Sequence, residues 1–217
     1  MQNFSTLRET MVDTQVRPSD VTKFPIIDAM LSVPREAFLP DSLRDVAYMG
    51  ENIDLAPHRC VLEPRTIAKM LDGLNVEADE LVLDIAPALG YSTALLAQLA
   101  EAVVAVEEDE DMASEAEANL GALGIHNAAV IAAPHGEGAA KHGPYDVIVI
   151  QGGVVEVPQA ILDQLKEGGR IAAIFMEGAL GEVRIGHKIE GAVNWRMEFN
   201  AAAPVLPGFS PAPSFVF

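Results

Sequence analysis

The sequence predicts a doubly wound α/β domain built on a mostly parallel sheet. From Leu81 onward, continuous apolar runs of strand length alternate with stretches of helical pattern. Uninterrupted apolar strands separated by helices are typical of a parallel sheet that is covered on both faces. A chain of 217 residues with a hydrophobic content of 50% can form one such domain with a substantial core.

Five strands and three helices are predicted in this part of the chain. The strands lie at 81–85, 103–106, 128–132, 146–150 and 170–175, and the helices lie between them at 91–100, 110–123 and 158–166. We expect Gly168-Gly169 to end the last helix and to lead into the last strand. Two further strand-like runs at 182–189 and 193–199 are separated by only three residues. The sheet is therefore predicted to finish in an antiparallel hairpin.

The two ends of the chain follow other patterns. Residues 1–80 show helical pattern at 4–16, 25–32 and 65–74, around a segment punctuated by proline. Ligands of doubly wound sheets bind at the carboxyl edge of the strands, so we expect residues 1–80 to cap that edge. Residues 201–217 are rich in proline and are predicted to form an extended arm over the surface. The predicted single domain thus has a cap at 1–80, a Rossmann-like core at 81–200 and an arm at 201–217.

Charge and composition argue against several classes of function. With 14 Lys and Arg against 32 Asp and Glu, the formal net charge is -18, which repels nucleic acid backbones and anionic lipid surfaces. No apolar run is long enough to cross a bilayer, and the first residues lack the apolar core of a signal peptide. The single cysteine, Cys60, excludes an internal disulfide framework. We expect a cytoplasmic protein that binds neither nucleic acid nor membranes.

The first predicted strand and the turn after it carry the strongest functional signal. An apolar strand that includes the acid Asp84 leads through a tight turn into a helix, which is the arrangement that cradles nucleotide-type cofactors. Gly90 is retained, but Ala86 and Ala88 stand where glycine is expected and add a Cβ that hinders positive φ and close approach. Pro87 also favours an extended conformation for Ala86. A turn that binds no ligand is therefore a real alternative.

Glu107 is the second acid of interest. It ends the next predicted strand, about 20 positions past the turn, where an acid accepts hydrogen bonds from ribose hydroxyls. The alternative is that Glu107 opens the acidic run at 107–111, which complements the positive end of the following helix.

Several segments together resemble the protein-L-isoaspartate (D-aspartate) O-methyltransferase family. These enzymes use S-adenosylmethionine to esterify the stray carboxylate of damaged aspartyl residues. The matching segments are VPREAFLP at 33–40, AY at 47–48, VLDIAPALG at 82–90, VE at 106–107, GPYD at 143–146 and QLKEGGR at 164–170. The resemblance covers residues 25–175 approximately and implies the class I S-adenosylmethionine-dependent methyltransferase fold.

The resemblance implies a set of cofactor-binding positions. They are Asp84, Ala86, Ala88, Gly90, Glu107, Pro134 and His135. Pro134 stands where the family has a carboxylate that meets the adenine amino group, while the backbone N–H of His135 remains available to adenine. His135, Glu137 and His142 match the spacing of no standard metal site, so no metal is expected.

The segment at 58–64 departs from the family pattern at its catalytic position. Leu62 replaces the serine that the family associates with catalysis, so this position is not functional as such. Arg59 is the other catalytic candidate, because its guanidinium can pair bidentately with a carboxylate or another anion. The alternative is that Arg59 pairs with Glu63 or Asp54 on a surface loop.

Three functions follow from these patterns. The primary hypothesis is a protein-isoaspartyl methyltransferase that transfers a methyl group from S-adenosylmethionine to a carboxylate of a damaged protein or peptide. A homodimer and a monomer both remain open at this point. The main alternative is a catalytically inactive member of the fold that serves as a binding or scaffolding module. An NAD-type dehydrogenase is the third, and the lack of a complete G-x-G-x-x-G and of a separate catalytic domain disfavours it.

Overall fold

A seven-stranded sheet organises the computed structural model, which describes residues 3–210. A separate antiparallel pair, β1 (Ile53–Ala56) and β2 (Arg59–Val61), precedes it in the chain. The strands of the main sheet are β3 (Leu81–Ile85), β4 (Ala102–Glu107), β5 (Ala128–Ala132), β6 (Tyr145–Val154), β7 (Leu165–Glu177), β8 (Leu180–Ile189) and β9 (Ala192–Asn200). Their spatial order is β5-β4-β3-β6-β7-β8-β9.

The first five strands in this order are parallel, and β7, β8 and β9 pair antiparallel. The helices are α1 (Phe4–Met11), α2 (Phe24–Ser32), α3 (Pro64–Leu74), α4 (Tyr91–Leu99), α5 (Glu110–Ala122) and α6 (Gln159–Leu162). One hydrophobic cluster lies on each face of the sheet, as the continuous apolar strands require. The predicted fold class is confirmed, including the final antiparallel hairpin. Among residues 3–210, no helix has both the length and the apolar character that a bilayer crossing needs.

The predicted helix at 158–166 is wrong in its second half. The helix α6 ends at Leu162, and the chain enters β7 at Leu165. Gly168-Gly169 lies inside β7 instead of ending a helix, and the pairing with β6 is irregular there. A Cβ on Gly169 would lie 2.9 Å from the carbonyl oxygen of Asp146, so glycine permits the strands to approach closely at this irregularity.

The N-terminal segment contains the predicted helices, three short 3-10 helices and an unpredicted β-hairpin. Helix α2 packs against α4, and α3 lies beside the π turn Val12–Val16 that continues α1. The β1–β2 hairpin was not predicted, because its strands are only four and three residues long. This hairpin contacts β6 and brings residues of the N-terminal segment to the carboxyl edge of the sheet.

The C-terminal segment packs into the protein instead of lying over its surface. Residues 211–217 of the predicted arm lie outside the described residues. The preceding stretch is extended, and Val205 forms a parallel bridge with Gly153. The side chains of Leu206 and Phe209 are buried in the cluster on one face of the sheet. A Cβ on Gly152 would lie 2.6 Å from Leu206 Cγ, so glycine at this position allows the segment to dock.

Replacement of Phe209 by alanine tests this docking. Phe209 is fully buried (0% exposed), so Phe209→Ala should lower the free energy of unfolding by about 3 kcal/mol. The matched control is Phe24→Ala, since Phe24 is 84% exposed and its loss should change stability by less than about 0.5 kcal/mol. Urea unfolding of both variants measures the difference. Equal effects of the two substitutions would show that the segment is not docked in solution.

Candidate functional site

The turn after β3 has the backbone of a glycine turn although two of its residues are alanine. The φ angles are 62° at Ala86, 52° at Ala88 and 98° at Gly90, all in the left-handed region. The expectation that Pro87 keeps Ala86 extended is wrong. The Ala86 N–H donates to the carbonyl oxygen of Val106 at 2.9 Å and thereby continues the ladder between β3 and β4. Tertiary hydrogen bonding therefore overrides the local preference of both alanines.

Glu107 ends β4 and is held from two sides by the backbone. Its Oε1 accepts hydrogen bonds from the N–H groups of Glu108 and Asp109 at 2.9 and 3.1 Å. Its Oε2 accepts from the N–H of Ala88 at 3.0 Å, which joins it to the turn after β3. The carboxylate thus fixes the turn against the beginning of α5.

Two basic side chains complete the surroundings of Glu107. Arg59 Nε donates to Glu107 Oε1 at 3.1 Å, and His135 Nε2 lies 3.1 Å from the same oxygen. The side chains of Glu107, Arg59 and His135 are 0%, 7% and 0% exposed. Burial alone would raise the pKa of Glu107, but the hydrogen bond from His135 and the charge of Arg59 outweigh it and lower that pKa. Glu107, Arg59 and His135 therefore form a buried polar cluster in which Arg59 and Glu107 are an ion pair.

The placement of Arg59 contradicts its assignment to a surface loop. Arg59 lies on β2 and is buried, and its Nη2 is 3.1 Å from His135 Nδ1. Neither of the two acids considered as surface partners is its partner here. Glu63 instead accepts from the Thr66 hydroxyl at 2.7 Å, and Asp54 is exposed. The cation of the segment at 58–64 thus points into the carboxyl edge of the sheet.

Asp84 lies in β3 within a separate polar pocket. Its Oδ2 accepts from the hydroxyls of Ser92 and Thr93, both at 2.7 Å, and its Oδ1 accepts from Gln151 Nε2 at 2.8 Å. Burial raises the pKa of Asp84 to about 6, although the hydrogen bonds from these three side chains oppose the shift. The residue therefore ties α4 and β6 to β3 and is fully enclosed.

Sequence reasoning did not assign the three partners of Asp84. Ser92 and Thr93 follow Gly90 in the first turn of α4, and Gln151 lies toward the carboxyl end of β6. Hydroxyl residues directly after the turn were the available signal, since the first turn of α4 faces back toward the strand end.

The remaining predicted residues lie near the cluster or in the core. Leu62 is buried in the larger hydrophobic cluster, and its carbonyl oxygen accepts from Arg35 Nη2 at 2.8 Å. Pro134 precedes the short turn His135–Glu137 that follows β5 and so positions His135 beside Glu107. Cys60 is buried, and burial raises the pKa of its thiol to about 12, so it is no nucleophile. The structure therefore brings together Arg59, the turn after β3, Glu107 and His135.

Comparison with known proteins identifies relatives over most of the chain. A family model described as "Protein-L-isoaspartate(D-aspartate) O-methyltransferase (PCMT)" matches residues 7–190. A protein-L-isoaspartate O-methyltransferase of Syntrophus aciditrophicus is 34% identical over 171 residues, which cover 79% of this chain and 78% of the relative. A protein-L-isoaspartate O-methyltransferase 1 of Rhodopseudomonas palustris is 37% identical over 169 residues, or 78% of this chain and 69% of the relative.

Solved structures show the same fold. One described as a protein-L-isoaspartate O-methyltransferase superposes with a TM-score of 0.83 at 24% identity, covering 94% of this chain and 67% of that one. A Plasmodium falciparum structure of the same description, in complex with S-adenosyl-L-homocysteine, has a TM-score of 0.79 at 18% identity. It covers 96% of this chain and all of that one.

The raised pKa of Asp84 predicts a specific dependence of stability on pH. The pKa is about 6 in the folded protein and 3.8 ordinarily, so the folded state binds a proton between these values that the unfolded state releases. The contribution of Asp84 to stability is full below the lower value and is lost as pH rises through the higher one. Asp84→Asn cannot ionise, so its stability relative to the parent protein should rise by about 2 kcal/mol between pH 4.5 and 7.5.

Urea unfolding across this pH range measures the effect. Asp28→Asn serves as the control, because it removes the same formal charge at an exposed position on α2. A stability difference between Asp84→Asn and the parent protein that stays constant with pH would contradict the raised pKa.

The left-handed alanine of the turn gives a second prediction. Ala88 has a φ of 52°, a conformation that glycine adopts without strain, so Ala88→Gly should raise the free energy of unfolding by up to about 1 kcal/mol. Ala94→Gly within α4 is the control and should lower it by about 1 kcal/mol. Chemical denaturation distinguishes the two signs, and a loss of stability in both variants would mean that Ala88 is unstrained.

Proposed function

The chain belongs to the protein-L-isoaspartate(D-aspartate) O-methyltransferase family, and from this premise we propose that it methylates a carboxylate of damaged, isoaspartyl-containing proteins with S-adenosylmethionine. The observation that carries the proposal is the family match over residues 7–190, with relatives of 34% and 37% identity that bear the name of this enzyme. The seven-stranded sheet with its antiparallel end supports the same assignment.

The turn after β3 and the acid that ends β4 suit S-adenosylmethionine in their placement. The left-handed backbone at Ala86, Ala88 and Gly90 is the conformation that a close approach to a ligand requires. Glu107 would accept hydrogen bonds from the ribose hydroxyls, and the backbone N–H of His135 would meet the adenine. When bound, S-adenosylmethionine supplies a methyl group that its sulfonium already activates. The buried Asp84 would support the turn from beneath through α4.

Methylation of a carboxylate requires little acid–base catalysis by the protein. The acceptor is already an anion at neutral pH, so the rate depends mainly on positioning and on the exclusion of water. Leu62 at the position of the family serine removes a hydroxyl but no essential proton acceptor, and its side chain is buried in the hydrophobic core. The replacement is therefore compatible with the proposed reaction.

The other functions considered have less support. The relatives described above carry the name of the methyltransferase, and none of them supports a dehydrogenase or a scaffold. The proposed acceptor is a protein or peptide, which agrees with the formal net charge of -18 and its repulsion of nucleic acid and anionic membranes.

The test is transfer of labelled methyl from S-adenosylmethionine to two peptides of the same sequence, one with an isoaspartyl and one with an aspartyl residue. We expect incorporation into the isoaspartyl peptide. Glu107→Ala should lower kcat/KM at least tenfold, since it removes the proposed ribose acceptor. Glu101→Ala, at an exposed acid before β4, should leave kcat/KM unchanged. Equal labelling of both peptides, or none with folded protein, would refute the proposal.

A further inference from the structure

We propose that Arg59 closes the cofactor site from within the chain, so that the β1–β2 hairpin must withdraw its guanidinium from Glu107 before S-adenosylmethionine binds. This inference rests on the proposed function and concerns access to the same site. It gives Arg59 a role as a latch on cofactor binding instead of a partner of the methyl acceptor.

Oxygen Oε1 of the Glu107 carboxylate has no free acceptor position. A carboxylate offers about four lone-pair sites. Oε1 accepts from Arg59 Nε and from the backbone N–H groups of Glu108 and Asp109, and His135 Nε2 lies 3.1 Å from it, whereas Oε2 accepts from the N–H of Ala88. The side chain of Glu107 is also completely enclosed. A ribose whose two hydroxyls donate to both carboxylate oxygens can therefore bind only if at least one group leaves Oε1.

Arg59 is the donor most able to leave the Glu107 carboxylate. The three backbone donors belong to the turn after β3 and to the start of α5, which the main sheet holds in place. Arg59 instead lies on a two-stranded hairpin outside that sheet, whose strands of four and three residues are held by packing of their buried side chains and not by the ladder of the seven strands. The hairpin can therefore move while the seven strands remain paired.

The tip of the β1–β2 hairpin is exposed, and hydrogen bonds connect the hairpin to the C-terminal segment. Pro57 and His58 are exposed, and His58 has a φ of 62°, which is strained for a residue with a Cβ. His58 Nδ1 lies 3.0 Å from the carbonyl oxygen of Val205. Asn52 Nδ2, just before β1, donates to the carbonyl oxygen of Ala202 at 2.8 Å. These contacts hold the hairpin closed through the C-terminal segment.

Removal of the latch should affect stability and binding in opposite directions. Arg59→Met keeps much of the side-chain volume but leaves the buried Glu107 without its guanidinium, so the ligand-free protein should melt at a lower temperature. The same change frees an acceptor position on the Glu107 carboxylate for the ribose, so the cofactor should bind more tightly. A residue with a merely structural role would weaken both.

The experiment is calorimetric titration of the full chain with S-adenosyl-L-homocysteine, the demethylated form of the cofactor. We expect Arg59→Met to bind it at least tenfold more tightly than the parent protein and to show the larger rise in Tm on binding. Arg65→Met is the matched control, because Arg65 on α3 is 43% exposed and contacts Glu63. Its affinity should equal that of the parent protein.

A second variant covers the case in which Arg59→Met does not fold. His58→Ala alters only an exposed side chain and removes the contact with Val205, so it should bind S-adenosyl-L-homocysteine more tightly than the parent protein by a smaller factor. Equal affinities of the parent protein and the folded latch variants would overturn the latch and leave the proposed function standing. Absence of binding at millimolar ligand in the parent protein and the latch variants, all folded, would overturn both.

Discussion

The arrangement of the carboxyl edge follows from one constraint, the burial of the Glu107 carboxylate. An ionised carboxylate that is removed from water needs donors or cations on nearly every lone pair. The chain supplies them from four separate segments: the turn after β3, the start of α5, the β1–β2 hairpin and the turn after β5. Each segment is positioned by its contact with this carboxylate. The cluster therefore joins the β1–β2 hairpin to the carboxyl edge of the main sheet.

Asp84, a second buried acid on the neighbouring strand β3, has a different set of partners and ionises differently from Glu107. Asp84 receives hydrogen bonds from two hydroxyls and one amide and pairs with no cation within residues 3–210, so desolvation dominates and its pKa rises to about 6. Glu107 has a guanidinium and an imidazole beside it, and its pKa falls. The sequence shows only two acids near the ends of two apolar strands. Their opposite ionisation behaviour comes from partners that lie far away in the chain, which no local pattern reveals.

Elements that follow from local sequence patterns could be predicted, and contacts that depend on distant partners could not. Apolar periodicity located β3 at its observed bounds, because a strand buried on both faces is apolar throughout. It also located β5, although the residues of this edge strand are exposed or only partly buried. It failed for the helix predicted at 158–166, where an irregular pairing between β6 and β7 allows glycines inside a strand. The inward direction of Arg59 could not be predicted either, since its partner Glu107 is 48 positions away and many acids, Asp54 and Glu63 among them, lie closer in sequence. The packed C-terminal segment depends likewise on distant glycines at 152 and 153.

The backbone conformation of the two alanines in the turn after β3 differs from the one that the sequence suggests. A Cβ at Ala86 or Ala88 was expected to hinder the left-handed backbone, yet both residues adopt it, and their N–H groups donate to the Val106 carbonyl and the Glu107 carboxylate. The backbone that a nucleotide-type cofactor requires is therefore already formed and strained by only a modest amount per residue. What separates the closed site from a usable one is the position of a single guanidinium on a short hairpin. Because that hairpin lies outside the main sheet, opening the site requires no rearrangement of the fold that the family shares.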